Sequence, residues 1–401
     1  MDETFAQALR RYRGDLSQRD VARLANCGKS YVNDLEAGRR QPSRAIAASL
    51  DNALGADGYL IDLAAVPATA GVFERAAALQ QGLGEHLADG PLAEASVADW
   101  EYTVDRYGRA TRYRSEELLL HDLVDDLAAL QRHLRRPHSA PVRRRLQVVA
   151  ARFAGLMALA LLKAGKKTAR DWWRTGRQFA ALANDRATLS WMYAQEAYQL
   201  YYDGDLHGAV ELAHRSQHLA GGLPCVGPAL AAPLKARAHA ALHQADEVAA
   251  ALADAQTALD RLDPTERIAS AFGYSESQLR FHSGNAWTHL GRTRRAGEEH
   301  KRALELYTPD EHTDRALVRL DQAVCMAADG DTAGAATHAA ATLTALPPAH
   351  RSALIIYRAK ELAASVPRTR QVLPEMRELH EVLALPGERE DSGHGAHRAG
   401  N

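Results

Sequence analysis

Residues 16–43, with the sequence LSQRDVARLANCGKSYVNDLEAGRRQPS, predict two short helices joined by a tight turn. Ser17 can cap the first helix, because a serine side chain accepts a hydrogen bond from a backbone N–H of the first turn. Asn26 predicts the turn, since asparagine is one of the few residues besides glycine that adopt a left-handed backbone. The second helix begins near Gly28 and ends at Gly38, a residue type that commonly terminates helices. This segment is therefore constrained to a compact helical unit.

The second of these helices has one apolar face and one polar face. Val32 and Leu35 lie three residues apart and are predicted to face a core. The side chains predicted to point outward are those of Lys29, Ser30, Asn33 and Asp34. A short polar helix that follows a tight turn fits the major groove of DNA.

The charge distribution points to a polyanion at the same end of the chain. Residues 4–45 contain nine basic and four acidic residues, which gives this segment a net charge of +5. The complete sequence carries a net charge of −1. A nearly neutral chain with one basic segment is predicted to have a local phosphate-binding surface.

These residues resemble the Xre family of lambda-repressor-like regulators, because LSQ, the alanine before the turn, SYV, the LE-x-G ending and the loop proline fall in register over about residues 5–63. The resemblance implies that Gln18 binds a phosphate at the start of the domain's second helix. It also implies that Lys29, Ser30 and Asp34 face base edges. Asp34 either accepts a hydrogen bond from a cytosine amino group or pairs with Lys29 or Arg10. The predicted DNA-binding residues are Gln18, Lys29, Ser30, Asn33, Asp34, Arg39 and Arg40.

The family resemblance further implies a buried ion pair between Arg11 and Glu36. Two residues depart from the family pattern, since Asn26 replaces the turn glycine and Gly28 replaces the polar cap of the recognition helix. The first turn of that helix is therefore expected to be slightly looser. Cys27 is interpreted as a small buried apolar residue and not as a redox sensor.

The length of 401 residues requires at least one further domain of substantial size. Three widely separated cysteines do not make a disulfide framework. The sequence opens without an apolar signal segment, and no uninterrupted apolar run approaches a membrane span, so we expect a cytoplasmic protein with no membrane contact.

Changes in periodicity along the chain predict five segments. The segment at 100–141, which we call the connector, carries several aromatic residues, so we expect it to pack against the start of the C-terminal domain. A contact with a second protomer is the alternative. The predicted linker includes one weak helix at residues 73–81. The segments are a helix-turn-helix DNA-binding domain at 1–66, a linker at 67–99, a helical connector at 100–141, a helical repeat domain at 142–385 and a disordered tail at 386–401.

The C-terminal half predicts helices in pairs, because turn residues recur at intervals of 39, 40, 47 and 39 residues. The predicted turn residues are Gly165, Gly204, Gln244, Gly291 and Gly330, and the last four are followed five positions later by Ala209, Ala249, Ala296 and Ala335. A turn followed by a small residue lets the second helix cross the first closely, and Pro309 and Pro347 are placed to end second helices. These segments resemble degenerate tetratricopeptide repeats. The predicted fold is all-α, with a lambda-repressor-like helix-turn-helix domain followed by a tetratricopeptide-like α-solenoid.

Such a solenoid presents a groove to a ligand, a peptide or a partner helix. Trp191, Tyr198 and Tyr202 are the candidate ligand-binding residues, although aromatic rings at helical spacing are more often core between repeats. Peptide-sensing regulators of this architecture use asparagines along the groove, and only Asn184 and Asn285 lie there. This weakens a peptide-sensing interpretation without excluding it, so the expected effector is a small molecule or a peptide.

The sequence predicts neither catalysis nor a cofactor. It has no phosphate-cradling glycine loop, no nucleophile elbow and no CxxC motif. Two histidine pairs at i, i+4 could each offer nitrogens to zinc but lack a third ligand; they are His214 with His218 and His239 with His243. We therefore predict a transcriptional regulator of bacterial type that binds double-stranded DNA as a homodimer and senses an effector through its repeats. The alternative is a scaffold whose repeats recruit a partner protein to DNA, and transcription in vitro with the protein alone would distinguish the two.

Overall fold

The computed structural model describes residues 3–25, 27–40, 42–65 and 94–384. All regular structure within these ranges is helical, which confirms the predicted fold class. The described helices divide into two compact units, one on each side of the gap at residues 66–93. The predicted linker up to residue 93, its predicted helix at 73–81 and the tail at 386–401 lie outside the described residues.

The first unit is a small bundle around its own apolar core. Its helices are α1 (Phe5–Arg13), α2 (Gln18–Leu24), α3 (Lys29–Glu36), α4 (Arg44–Leu54) and α5 (Tyr59–Ala65). Leu9, Val21 and Leu35 are among the residues that fill its core. The Ser17 hydroxyl accepts a hydrogen bond from the backbone N–H of Asp20 at 3.2 Å, so the predicted cap of α2 is confirmed.

The second unit consists of two connector helices followed by helices in pairs. Its helices are α6 (Glu94–Ala110), α7 (Glu116–Leu134), α8 (Ala140–Lys163), α9 (Ala169–Leu182), α10 (Arg186–Tyr202), α11 (Leu206–Ala220), α12 (Val226–Ala241), α13 (Ala245–Arg261), α14 (Glu276–His289), α15 (Thr293–Leu306), α16 (His312–Ala328), α17 (Thr332–Thr344), α18 (Ala353–Ser365) and α19 (Pro374–Ala384), with 3₁₀ turns at Pro348–His350 and Arg368–Arg370. From α8 onward, the two helices of each pair pack together, and each first helix also packs against the first helix of the next pair. This arrangement is that of a helical solenoid.

The turns within the pairs follow the predicted spacing at most positions. Gly204 and Gly330 adopt φ angles of +86° and +97°, a left-handed region that glycine enters without steric cost. Ala209 and Ala335, five residues further on, are buried where the second helix crosses the first. Helices α15 and α17 both end three residues before a proline, so the prediction that Pro309 and Pro347 end second helices is confirmed.

The third pair departs from the predicted register by one residue. His243, and not Gln244, adopts the left-handed conformation with φ of +60°. The residue five positions after it is Val248, which is fully buried, whereas the predicted Ala249 is exposed. The offset of five is therefore retained, and the prediction was wrong because histidine carries no turn signal as clear as that of glycine.

Helices α6 and α7 pack on α8, so the predicted contact of the connector with the start of the repeat domain is confirmed. The rings of Trp100 and Tyr107 lie 6.1 and 5.8 Å from that of Phe153 on α8. Helix α6 begins at Glu94, so residues 94–99 of the predicted linker are helical.

Within the described residues, α8 is long and apolar enough to cross a membrane by length and composition, which differs from the expectation of no such segment. Its most apolar window is 61% buried inside the unit, as in the core helix of a folded domain.

Candidate functional sites

The turn between α2 and α3 holds the polar face of α3 outward. The backbone N–H of Cys27 donates to the carbonyl of Ala22 at 2.8 Å, which closes the end of α2; Asn26, the predicted turn residue, lies outside the described residues. Val32 and Leu35 are buried, as the sequence predicts. The exposed side chains of α3 include those of Lys29, Ser30 and Asn33.

Glu36 at the end of α3 joins three helices of the first unit. Arg13 Nε of α1 donates to Glu36 Oε1 at 2.5 Å, and Gln18 Nε2 of α2 donates to Glu36 Oε2 at 2.6 Å. The predicted pair between Arg11 and Glu36 is therefore wrong, because Arg11 pairs with Glu3 at 2.8 Å. Residues two apart on a helix point to nearly opposite sides, so α1 can direct only one of its two arginines inward.

Gln18 lies at the start of α2, where the family resemblance places a phosphate contact. Its amide nitrogen is occupied by Glu36, and lies 3.5 Å from Asn33 Oδ1 of α3. The Gln18 side chain thus fixes α2 against α3, and its role at a phosphate stays a prediction.

Asp34 pairs with a residue that the sequence analysis did not consider. Its Oδ1 accepts hydrogen bonds from Arg39 Nε at 3.1 Å and Arg39 Nη2 at 2.9 Å. Neither Lys29 nor Arg10 is its partner, because Arg10 Nε donates to a carbonyl of its own helix. The pair ties the loop after α3 to the helix, so it competes with any contact of Asp34 to a base.

Positive charge remains exposed beside this face. Lys29 forms no ion pair within the described ranges, and Arg40 lies over the ring of Tyr31 with its Cζ 5.3 Å from the centroid. Unneutralised cations at the surface attract phosphates over roughly a Debye length of 8–10 Å. The electrostatics of this surface suit nucleic acid.

Cys27, Cys225 and Cys325 are free thiols, and burial raises the pKa of each. A raised pKa disfavours the reactive thiolate. Cys27 is only partly buried, yet its surroundings agree with a packing role. Within the described residues, no group of three or more His, Cys, Asp or Glu side chains is arranged to hold a metal ion.

The second unit contains two adjoining cavities, of about 130 and 180 Å³. The first is lined by the segment between α6 and α7, by the loop before α14 and by the first helices of six successive pairs. Tyr198 and Tyr202 line it, as the sequence analysis expected of a groove. Trp191 does not, because its ring is buried and its Nε1 donates to the carbonyl of Ala271 at 2.7 Å. We refer to the first cavity as the main cavity and the second as the side cavity.

Arg237 of α12 borders both cavities and is only 4% exposed. Its guanidinium carbon lies 4.6–5.9 Å from four aromatic ring centroids, which are those of Tyr198, Tyr201, Tyr202 and Phe281. Such contacts stabilise a cation by the ring quadrupole. Arg237 was not predicted from the sequence, although an arginine within the alanine-rich run of α12 is the signal that could have identified it.

A chain of polar side chains extends from Arg237 across the first helices. Arg237 Nε donates to Asn285 Oδ1 at 2.8 Å, and Asn285 Nδ2 donates to Asp321 Oδ2 at 2.8 Å. Arg358 Nε donates to Asp321 Oδ1 at 2.7 Å. The polar chain, defined as Arg237, Asn285, Asp321 and Arg358, therefore links α12, α14, α16 and α18.

His282 lies on the other side of Arg237 in a neutral form. Burial lowers its pKa well below the usual value, and the nearby charge of Arg237 acts in the same direction. Its Nδ1 lies 3.5 Å from Arg237 Nη1 and its Nε2 lies 3.2 Å from the Tyr198 hydroxyl. Since a guanidinium only donates, Nδ1 accepts and the proton is on Nε2. Tyr198 in turn donates to the carbonyl of Leu230 at 3.2 Å.

Residues 4–64 match a family model described as a helix-turn-helix domain. The comparisons with curated proteins and with solved structures found no match. The match spans all five helices of the first unit except the last residue of α5. The chain therefore carries an N-terminal helix-turn-helix domain, which supports its interpretation as a DNA-binding regulator.

Proposed function

We propose that the chain is a sequence-specific transcriptional regulator of bacterial type, with the Xre-like first unit reading an operator. The observation that carries the proposal is the outward face of α3, where Lys29, Ser30 and Asn33 are exposed directly after the turn. A recognition helix contacts base edges with its N-terminal residues; Lys29 and Ser30 are the first two residues of α3, and Asn33 follows one turn later on the same side as Lys29. The segment's charge of +5 supplies the attraction to phosphates.

The second unit, a tetratricopeptide-like array, serves dimerisation and effector sensing in this proposal. A single helix-turn-helix domain buries too little surface for tight specific binding, so two half-sites in an inverted repeat are expected. The cavities among the first helices have room for a small ligand, which supports a sensing role. We place the protein in the cytoplasm, where a bacterial operator is found.

The experiment is selection of binding sequences from random double-stranded DNA with the purified full chain. Lys29→Ala should weaken binding to the selected sequence by about 5–150-fold, since a good base contact contributes about 1–3 kcal/mol of discrimination. Binding to scrambled DNA should change far less. The matched control is Lys301→Ala, an exposed lysine on α15, which should change neither affinity.

Three results would contradict the proposal at different points. Enrichment of no sequence would refute specific DNA recognition. An equal loss on both DNAs with Lys29→Ala would reduce Lys29 to a phosphate contact. Sedimentation of the full chain as a monomer, with full affinity for a single half-site, would refute the dimer.

A further inference from the structure

Arg237 differs from the other cations at the two cavities because it forms no ion pair with any carboxylate of the described residues. The remaining cationic side chains that line the cavities each pair with a carboxylate; they are Arg112, Arg114, Lys163 and Arg358. Asp321, the carboxylate nearest along the polar chain, already neutralises Arg358. Arg237 is therefore the one cationic side chain lining the two cavities that has no carboxylate partner among the described residues.

The terminal nitrogens of Arg237 also lack strong acceptors. Nη1 and Nη2 lie 3.4 Å from the Tyr202 hydroxyl, and Nη1 lies 3.5 Å from His282 Nδ1. Hydrogen bonds from N–H groups to oxygen are commonly about 2.7–3.2 Å long. A buried donor that is left poorly satisfied destabilises a fold, so the end of this guanidinium is suited to a stronger acceptor.

Two of the other buried polar side chains that line the main cavity are left without a partner among the described residues. Gln195 of α10 is 7% exposed and Thr313 of α16 is 8% exposed. Within the described residues neither side chain has a hydrogen-bond partner. Much of the remaining wall is apolar and includes Leu159, Leu230 and Phe281. A few polar groups that converge in an apolar cavity are the usual composition of a small-molecule site.

We propose that the main cavity binds a small monocarboxylate with an apolar body, whose carboxylate accepts hydrogen bonds from Nη1 and Nη2 of Arg237. Arginine and carboxylate match in geometry, because two parallel N–H groups can reach both oxygens. Arg112 and Arg358 each already pair with two carboxylates, so a phosphate dianion would add more negative charge than Arg237 alone can balance, whereas a single carboxylate matches it. Gln195 and Thr313 are then available to polar atoms elsewhere on the ligand.

The size of the main cavity sets the size of the ligand. A volume of about 130 Å³ holds roughly ten water-sized groups, since each needs about 10–15 Å³ on this measure. An aryl or medium-chain acid fits this space, and an extended peptide of several residues does not. The role of this acid as an effector rests on the proposed function, whereas its binding to the cavity can be measured without DNA.

The experiment measures binding of phenylacetate, cinnamate and octanoate to the full chain by calorimetry, each beside its own primary amide. The amide has the same shape without the charge. At least one acid should bind, and its amide should bind about tenfold to a hundredfold more weakly, because a hydrogen bond to a charged group contributes about 1.5–3 kcal/mol. Arg237→Gln should weaken binding of the acid to the same extent. The matched control is Arg174→Gln, an exposed arginine on α9, which should not change binding.

Gln195→Met keeps the side-chain volume and leaves the contacts of Arg237 in place. This variant therefore tests ligand binding in the main cavity even if the Arg237→Gln protein does not fold. It should weaken binding of 4-hydroxyphenylacetate, which carries a polar atom away from its carboxylate, and should leave binding of phenylacetate and the melting temperature unchanged. Absence of binding by all three acids, or equal binding of acids and amides, would overturn the proposal and indicate a solvent-filled cavity. Tighter binding of phenyl phosphate than of phenylacetate would overturn the carboxylate assignment. An acid that binds without changing operator affinity would refute the effector role and leave the site intact.

Discussion

Replacing Glu36 by glutamine tests whether the first unit depends on the contact between α1, α2 and the end of α3. The Glu36 side chain is 6% exposed and that of Arg13 is 24% exposed. Both carboxylate oxygens accept a short hydrogen bond, one from Arg13 and one from Gln18. A glutamine keeps one oxygen and places an NH₂ group against the other donor, so one charge-assisted bond is lost and two donors face each other.

The size of the effect follows from burial. Breaking a fully buried ion pair costs about 3–5 kcal/mol, and a hydrogen bond to a charged group contributes about 1.5–3 kcal/mol. Water reaches about a quarter of Arg13, so we expect Glu36→Gln to lower the free energy of unfolding by about 2–3 kcal/mol. In a domain of this size each kcal/mol shifts the Tm by about 4–8 °C, so the Tm should fall by roughly 8–24 °C.

The assay is thermal melting of residues 1–66 by circular dichroism. Glu3→Gln is the matched control, because Glu3 pairs with Arg11, a more exposed arginine of the same helix. This control should shift the Tm much less. A midpoint for Glu36→Gln no lower than that of the control would refute the reasoning and show that the Glu36 contacts contribute little.

Two predictions concern the second unit. Gly155→Ala should destabilise it by about 1–3 kcal/mol, because the added methyl would overlap the Trp191 ring, whereas Gly297→Ala on exposed α15 should stabilise it slightly. Equal melting temperatures for the two variants would contradict this. Burial lowers the pKa of His289 from 6.5 to about 4, so below pH 6.5 the unfolded chain takes up a proton that the folded state does not. Stability should therefore fall as the pH drops from 6.5 towards 4, and the melting temperature of His289→Gln should depend less steeply on pH; an unchanged slope would contradict the assignment.

The structure of the first unit was predictable from the sequence wherever it depends on residues that are close together in the chain. The Ser17 cap, the buried positions Val32 and Leu35 and the end of α3 at Gly38 all depend on residues within a turn or two of one another. The partner of Glu36 was not predictable in this way. It depends on the rotation of α1 against α3, and that rotation follows from packing of the whole core, so family resemblance selected the wrong arginine.

The repeat unit shows the same division between local and long-range information. Glycine turns and buried alanines marked most helix pairs, but His243 needed a left-handed conformation that tertiary packing imposes on it. Tyr198 and Tyr202 were expected at a groove, but the guanidinium of Arg237 between these tyrosines and α14 was not. That Arg237 lacks a carboxylate partner is visible only once the position of Asp321 on α16 is known. Asp321 lies about eighty residues further along the sequence, so this contact is set by the tertiary fold.

A ligand on Arg237 would act at one end of the polar chain that crosses four successive first helices. Each first helix packs against the first helix of the next pair, so a change in the angle between two adjacent pairs is passed to the pair beyond them. A carboxylate that draws Arg237 away from Asn285 would loosen the bond that sets α12 against α14, and Asp321 and Arg358 would follow. Such a ligand alters DNA affinity only if it binds two arrangements of the helices unequally. Typical couplings of about 1–3 kcal/mol change affinity about 5–150-fold, and the exchange of one buried, charge-assisted hydrogen bond is large enough to supply this difference.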